Sequence, residues 1–258
     1  MLQGVPVGLA FGTMPFLLKS KLSYAEIGTF ALSTYPYSLK LAWSPIVDSC
    51  WVPHLQLPFL GRVGLGRRKS WIVPVQLIVG VMLWFLSSNV DQLLLSEHPP
   101  INTITALFFT LVLFAATQDI AVDGWALTLL SQENLSYAST AQTVGLNIGY
   151  FMSFTVFLAM NSTEFCNKYL RSASSPLDYP VLSLSAYLRV ASLLFVFVTL
   201  WLALFKEENA DEAEAEKESS EPSLEDQMGL KGAYDVMWKI CKLRRECLSI
   251  SAVALRLR

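Results

Sequence analysis

The sequence predicts an all-α membrane protein with six transmembrane helices. Hydrophobic residues make up 53% of the 258 residues and charged residues only 16%, whereas soluble domains carry charge on about a quarter of their residues. The apolar residues fall into runs about as long as a helix that crosses the ~30 Å hydrocarbon core. Seven tryptophans are typical of helices anchored at membrane interfaces. We therefore expect no enzyme activity, no metal, no cofactor and no nucleic-acid partner.

The six predicted spans follow one another with short loops between them. In the first span, Gly4, Gly8 and Gly12 recur every fourth residue, and small residues at this spacing let a second helix approach closely. Pro6 and Pro15 leave open the alternative of a bent helix that borders a transport path. The predicted spans are 4–18, 24–47, 70–88, 101–130, 138–160 and 184–205.

The chain beyond the last span differs in composition. Residues 206–226 contain ten acidic and two basic residues, and a segment so rich in charge and poor in apolar residues does not bury a core. We therefore expect three regions: a six-helix transmembrane domain over 1–205, an acidic disordered cytosolic linker over 206–229 and a basic stub over 230–258. The stub is either an interfacial helix or the truncated start of a second half.

Charged residues inside the spans are the first candidates for function. An ionised side chain in a membrane helix is costly unless it faces protein, water or a counter-charge. Asp119 and Asp123 are four residues apart in the fourth span, so they share one helix face. Lys40 lies seven residues from the end of the second span, or ~10 Å at the helical rise. Lys40 either extends to the interface or faces a polar cavity.

Several segments of the sequence resemble one known family. Residues 116–127 read ATQDIAVDGWAL, residues 2–9 read LQGVPVGL, and residues 37–45 read YSLKLAWSP. Residues 66–71 read GRRKSW, and residues 165–171 read FCNKYLR. Together these segments resemble the acetyl-coenzyme A transporters of the endoplasmic reticulum, in the major facilitator superfamily. The resemblance covers about residues 2–205.

The resemblance implies a fold of twelve helices in two halves, of which this chain is similar to the N-terminal half. It implies a multi-pass protein of the endoplasmic reticulum membrane that moves acetyl-coenzyme A from cytosol to lumen by alternating access, in exchange for coenzyme A. The implied partners are these two solutes, the lipid bilayer, and a missing C-terminal half or second protomer. It also places the loop 161–183 in the lumen. Asn161 is then the usable glycosylation site, whereas Asn134 is cytosolic.

The resemblance also suggests a gating network at the cytosolic end of the helices. Asp48 with Arg67 and Arg68 is similar to the superfamily's motif between the second and third helices. Asp119 and Asp123 lie about 18 and 22 residues into the fourth helix, which places them near the same level. Two alternatives remain for Asp119 and Asp123: they contact substrate or a proton, or they lie at a solvated helix end. The network comprises Asp48, Arg67, Arg68, Asp119 and Asp123.

A substrate as anionic as acetyl-coenzyme A requires cations in its path. Lys40 lies within a span, and Arg189 lies nearer the lumen. Polar residues of the second and fifth spans are further candidates, although the amides of the fifth span are equally suited to bonds between helices. The substrate-path candidates are Tyr37, Ser38, Lys40, Gln142, Asn147 and Arg189.

Three other functions compete with this prediction. One is a permease for another anionic solute, such as a muropeptide-like compound. A second is a truncated, non-transporting half that pairs with or regulates full-length transporters. A membrane acyltransferase is the third, but it needs a membrane-embedded base or nucleophile, and the chain's two histidines fall in opposite predicted loops.

Overall fold

In the computed structural model, the regular elements of the described residues are helices and one short hairpin. The chain divides into two compact units, Met1–Lys40 with Val52–Glu208 and Leu41–Trp51 with Asn209–Arg258. Most of the predicted linker and stub, and Arg67 of the predicted gating network, lie outside the described residues. The structure describes residues 1–50, 54–57, 61–64, 68–94, 96, 99–130, 134–171, 177–205, 232, 234, 235, 237–239 and 242.

The first predicted span is confirmed as an apolar helix, Gly4–Leu18, although it is shorter than a full crossing. It consists of α1 (Gly4–Gly8), a π-helical turn (Leu9–Thr13) and α2 (Met14–Leu18). A π-turn inside an α-helix is rare and often lies at a functional site. The helix is therefore continuous but irregular at its centre.

The second predicted span is not one continuous helix, and proline explains both breaks. Pro36 and Pro45 each occupy the first turn of a new helix, where the missing N–H costs nothing, whereas inside a helix it removes a hydrogen bond to the preceding turn. A serine cap, in which Ser23 and Glu26 bond reciprocally, starts the first segment. The segments are α3 (Tyr24–Ala31), a 3₁₀ turn (Leu32–Thr34), α4 (Tyr35–Leu39), a second 3₁₀ turn (Lys40–Ala42) and α5 (Ser44–Ser49).

A β-hairpin occupies the region predicted as the loop 49–69. Strands β1 (His54–Leu57) and β2 (Gly61–Gly64) pair antiparallel, with Leu57 opposite Gly61. The prediction of a loop was wrong for these eight residues. Glycine and proline in and around the strands removed the alternation by which a strand is normally recognised.

Four helices are long and apolar enough to cross a membrane: Lys69–Ser88, Ile101–Ala126, Ser136–Asn161 and Leu184–Phe205. The chain is therefore a multi-pass membrane protein, but the described residues contain four full-length spans and not six. The elements are α6 (Lys69–Ser88), α7 (Val90–Leu93), α8 (Ile101–Leu129), α9 (Leu135–Phe151), a π-turn (Met152–Val156), α10 (Phe157–Asn161), α11 (Thr163–Phe165), a π-turn (Cys166–Leu170) and α12 (Leu184–Phe205).

The predicted close approach at the glycine face of the first helix is confirmed. A Cβ on Gly4 would lie 2.6 Å from the Tyr150 backbone nitrogen, and one on Gly8 would lie 2.8 Å from the Tyr150 carbonyl oxygen. Gly12 similarly abuts the ring of Phe154. Only glycine fits at such a distance from another helix backbone. The first helix therefore packs directly on α9 and the π-turn that follows it.

Two buried polar contacts join α6 to α12. The Ser192 hydroxyl donates to the Gly80 carbonyl at 2.7 Å, and the Thr199 hydroxyl oxygen lies 2.9 Å from the Gln76 amide oxygen. Apolar side chains of the first π-turn, α2, α3, α6, α8 and α12 form most of the buried core. Because lipid tails supply no hydrophobic drive between helices, such contacts and close packing hold the pair together.

Candidate substrate and gating site

Asp119 is the centre of a polar cluster formed by three separate helical segments. Its Oδ2 atom makes an ion pair with Lys40 Nζ and accepts a hydrogen bond from the Tyr37 hydroxyl at 3.3 Å. Its Oδ1 atom accepts a bond from Gln142 Nε2 at 3.3 Å. α8 supplies the carboxylate, α4 and the following 3₁₀ turn supply Tyr37 and Lys40, and α9 supplies the amide. Both oxygens of the carboxylate are therefore bonded.

The local backbone explains why Tyr37 and Lys40 reach the same carboxylate. They are three residues apart, and residues at this spacing share a helix face. Pro36 lies in the first turn of α4, just before them. The direction in which Tyr37 and Lys40 point is therefore determined by α4 and not by α3. Lys40 Nζ also lies 5.2 Å from the centroid of the Tyr37 ring, within the range of a cation–π contact.

The two charges of the ion pair differ in their access to solvent. The Asp119 side chain is 4% exposed, whereas that of Lys40 is 34% exposed. A buried carboxylate is strongly destabilising unless it is paired and hydrogen-bonded, and Asp119 has three donors. Lys40 therefore neutralises a buried acid while part of its own side chain stays exposed.

Asp123 lies one helical turn beyond Asp119 and is half-buried. Its Oδ1 atom is buried and has no hydrogen-bond partner in the part of the chain that the structure describes. Gln118 Oε1, on the same helix, is also buried and without a hydrogen-bond partner among the described residues. Buried polar atoms are normally bonded, so this stretch of α8 retains acceptor capacity for a cation or a hydrogen-bond donor.

Arg68 lies against α8 at the turn that contains Asp123. A Cβ on Gly124 would lie 2.6 Å from each of the two terminal nitrogens of the Arg68 guanidinium. The absence of a side chain at Gly124 therefore provides the space for the guanidinium. This region of α8 thus contains two carboxylates, Asp119 and Asp123. Two cations from other segments, Lys40 and Arg68, lie against it.

The remaining predicted residues are not part of the Asp119 cluster. Asn147 is exposed and donates to the Thr143 carbonyl of its own helix at 2.8 Å. Arg189 is exposed on α12, with its guanidinium 5.6 Å from the centroid of the Trp84 ring. Ser38 is exposed on α4, and Asp48 lies on α5 in the other compact unit. Asn161 is the last residue of α10.

The sequence analysis assigned Lys40 and Asp119 to different sites and missed their pairing. The two residues are 79 positions apart, so no local spacing links them. One signal was present: the second and fourth spans each contain charges that are costly when unpaired, and those charges have opposite sign. That rule favours a pairing but does not identify the partners.

The fold and the site together define a multi-pass α-helical membrane protein in which a buried carboxylate is paired with a lysine from another helical segment, as is typical of transporters. A family model described as acetyl-coenzyme A transporter 1 matches residues 1–250. The chain therefore belongs to the acetyl-coenzyme A transporter 1 family. No solved structure matches the chain.

Known proteins similar to this chain include a membrane protein and transporters by name. An uncharacterized membrane protein of Saccharomyces cerevisiae is 49% identical over 218 residues, covering 78% of this chain and 37% of the yeast protein. An uncharacterized protein of Schizosaccharomyces pombe is 44% identical over 209 residues, covering 81% of this chain and 38% of that protein. A Rickettsia prowazekii protein named "Putative transporter AmpG 3" is 33% identical over 158 residues, covering 59% of this chain and 34% of the Rickettsia protein. The chain thus spans less than two fifths of the length of these relatives.

Proposed function

We propose that this chain is the N-terminal half of a carrier that moves acetyl-coenzyme A from the cytosol into the lumen of the endoplasmic reticulum. The carrier exchanges acetyl-coenzyme A for coenzyme A by alternating access. The observation that carries the proposal is the Lys40–Asp119 ion pair inside the helices of a chain that belongs to this family. The family model and the Rickettsia relative are transporters by name, which supports a transporter rather than an enzyme.

Lys40 is the candidate cation for the phosphate groups of the substrate. Acetyl-coenzyme A carries a diphosphate and a ribose phosphate, and binding these groups in a low-dielectric path requires a counter-charge. The ammonium is partly exposed, and the Tyr37 ring beside it offers a surface on which the adenine base can stack. Gln142 is the nearby hydrogen-bonding group from the fifth predicted span.

Arg68, Asp119 and Asp123 form the candidate gating network on this half. Opposite charges on neighbouring helix ends attract in one state and separate in the other, which gives alternating access two stable arrangements. Arg68 lies in a gap that only glycine at position 124 provides. Movement of α8 relative to the start of α6 would therefore break this contact.

A complete substrate path requires more protein than this half. Substrate sites of such transporters lie near the midplane, between two repeats, and this chain covers 37% of the yeast relative. We propose that a C-terminal half, or a second protomer, supplies the other wall. Co-expression of the half with a full-length relative, followed by co-purification, tests that arrangement.

Uptake of radiolabelled acetyl-coenzyme A into proteoliposomes preloaded with coenzyme A tests the function. We expect uptake by the carrier that contains this half to fall at least about tenfold in Lys40→Gln, since one removed charge–phosphate contact changes binding by about 1.4 kcal/mol or more. Lys19→Gln is the matched control, because Lys19 is an exposed lysine outside the cluster. Absence of uptake in the unmodified protein, alone and with its complementing half, would contradict the proposal.

A further inference from the structure

The two side chains of the Lys40–Asp119 pair differ in exposure. The lysine side chain is 34% exposed and the aspartate side chain 4% exposed. The more exposed partner is therefore the cation, which is the group that an anionic substrate would bind. The Asp119 carboxylate already contacts the ammonium that such an anion needs.

Asp119 keeps two of its three partners if Lys40 turns away. The Tyr37 hydroxyl and the Gln142 amide each donate to it at 3.3 Å, and they do so on different oxygen atoms. Hydrogen bonds from neutral donors stabilise the charged form of a carboxylate. The acid therefore remains solvated by protein when its ion-pair partner is lost.

Lys40 can change partner without a change in fold. Its side chain has four rotatable bonds and no directional requirement beyond three donor hydrogens. The Tyr37 ring lies 5.2 Å from Nζ and offers the ammonium a cation–π contact beside the carboxylate. Rotation about the side-chain bonds can therefore move the ammonium from Asp119 to an incoming anion without a change in the backbone.

We propose that Asp119 is an internal anion that competes with the substrate's phosphate for Lys40, and thereby lowers affinity and promotes release. This inference rests on the proposed function for the identity of the substrate. A carrier must release its cargo on the far side, and a site with an uncompensated lysine would bind a polyanion too tightly to turn over. Asp119 pairs with the lysine again as the phosphate leaves, so Lys40 has an anionic partner both before and after release.

Binding measurements in detergent on the purified carrier that contains this half test the competition. The probes are acetyl-coenzyme A and inorganic pyrophosphate, titrated by calorimetry. We expect Asp119→Asn to bind both probes at least about tenfold more tightly than the unmodified carrier, because a carboxylate in contact with the ammonium is removed. The double variant Lys40→Gln with Asp119→Asn should lose this gain completely.

Asp123→Asn is the matched control for bulk charge. It removes one negative charge a single turn along the same helix, and Asp123 Oδ1 has no hydrogen-bond partner among the described residues. Its gain in affinity should be less than a third of that of Asp119→Asn. If the two gains are equal, the effect is general electrostatics and the competition is refuted.

The remaining outcomes also decide the question. Unchanged or weaker binding in Asp119→Asn overturns the inference, as does failure of every variant to bind either probe. Binding that appears only in Asp119→Asn supports it. If Asp119→Asn is not monodisperse in size-exclusion chromatography, Asp119→Ser replaces it. Absence of uptake would contradict the proposed function alone. The relative affinities of the variants, measured in detergent, would still test the competition between Asp119 and phosphate.

Discussion

Replacing Gly8 by alanine tests the contact between the first helix and the α9 region. The added Cβ would lie 2.8 Å from both the Ser153 Cβ and the Tyr150 carbonyl oxygen, whereas ordinary contacts begin at 3.4 Å. One of the two obstructing atoms is backbone, so the helices must separate by about 0.6 Å, the difference between those distances. Overpacking of this kind typically costs about 1–3 kcal/mol.

Two hydrogen bonds across the same contact add to the cost. The Thr13 hydroxyl donates to the Ser153 carbonyl at 2.7 Å, and the Ser153 hydroxyl donates to the Val5 carbonyl at 2.9 Å. Bonds between membrane helices contribute about 0.6 kcal/mol each on average. Separation of the helices stretches both, so we expect a total loss of about 2–4 kcal/mol from packing and hydrogen bonding.

Gly28→Ala is the matched control because nothing lies within 4 Å of a Cβ added at that position. Both substitutions replace a helical glycine, so the gain in helix propensity, up to about 1 kcal/mol, cancels in the comparison. The free energy of unfolding, measured in mixed micelles by tryptophan fluorescence, should be about 2–4 kcal/mol lower for Gly8→Ala than for Gly28→Ala. Equal stabilities would refute the close approach of these helices.

Two further predictions concern the α6–α12 contact and the orientation of the chain. Thr199→Val should lower the free energy of unfolding by about 0.5–1.5 kcal/mol, because the buried Gln76 loses a partner. Thr110→Val is the control, because the Thr110 hydroxyl donates to the Ala106 carbonyl of its own helix, and it should change the free energy of unfolding by less than about 0.3 kcal/mol. A larger loss in Thr110→Val than in Thr199→Val would contradict the α6–α12 contact. Asn161→Gln should abolish a glycan-dependent mobility shift after translation with microsomes, whereas Asn134→Gln should leave it; a shift that depends on Asn134 would invert the proposed topology.

The long apolar runs predicted their helices closely, because length and hydropathy alone define a membrane helix. The predicted spans 70–88, 101–130 and 184–205 correspond to Lys69–Ser88, Ile101–Leu129 and Leu184–Phe205. The span 24–47 failed as a continuous helix, although Pro36 and Pro45 within it already marked the helix starts. That prediction relied on hydropathy and did not take into account that proline interrupts a helix.

The partners of the site residues could not be read from the sequence. Depth along the fourth helix placed Asp119 near Arg67 and Arg68, but depth does not give the rotation of a helix about its axis. The structure brings Lys40 to Asp119, whereas Arg68 lies against Gly124, one turn further along. The roles of these residues in gating or in substrate binding stay predictions, which the Lys40 and Asp119 variants separate.

The contact between Gln76 and Thr199 has a consequence for how the protein is made. The two residues are separated by 123 positions, and at about 5–20 residues per second the threonine is synthesised roughly 6–25 seconds after the glutamine. During that interval α6 enters the bilayer with a polar amide that lacks its later partner. The early helices therefore require the translocon or an insertion chaperone to shelter the Gln76 amide until α12 is synthesised.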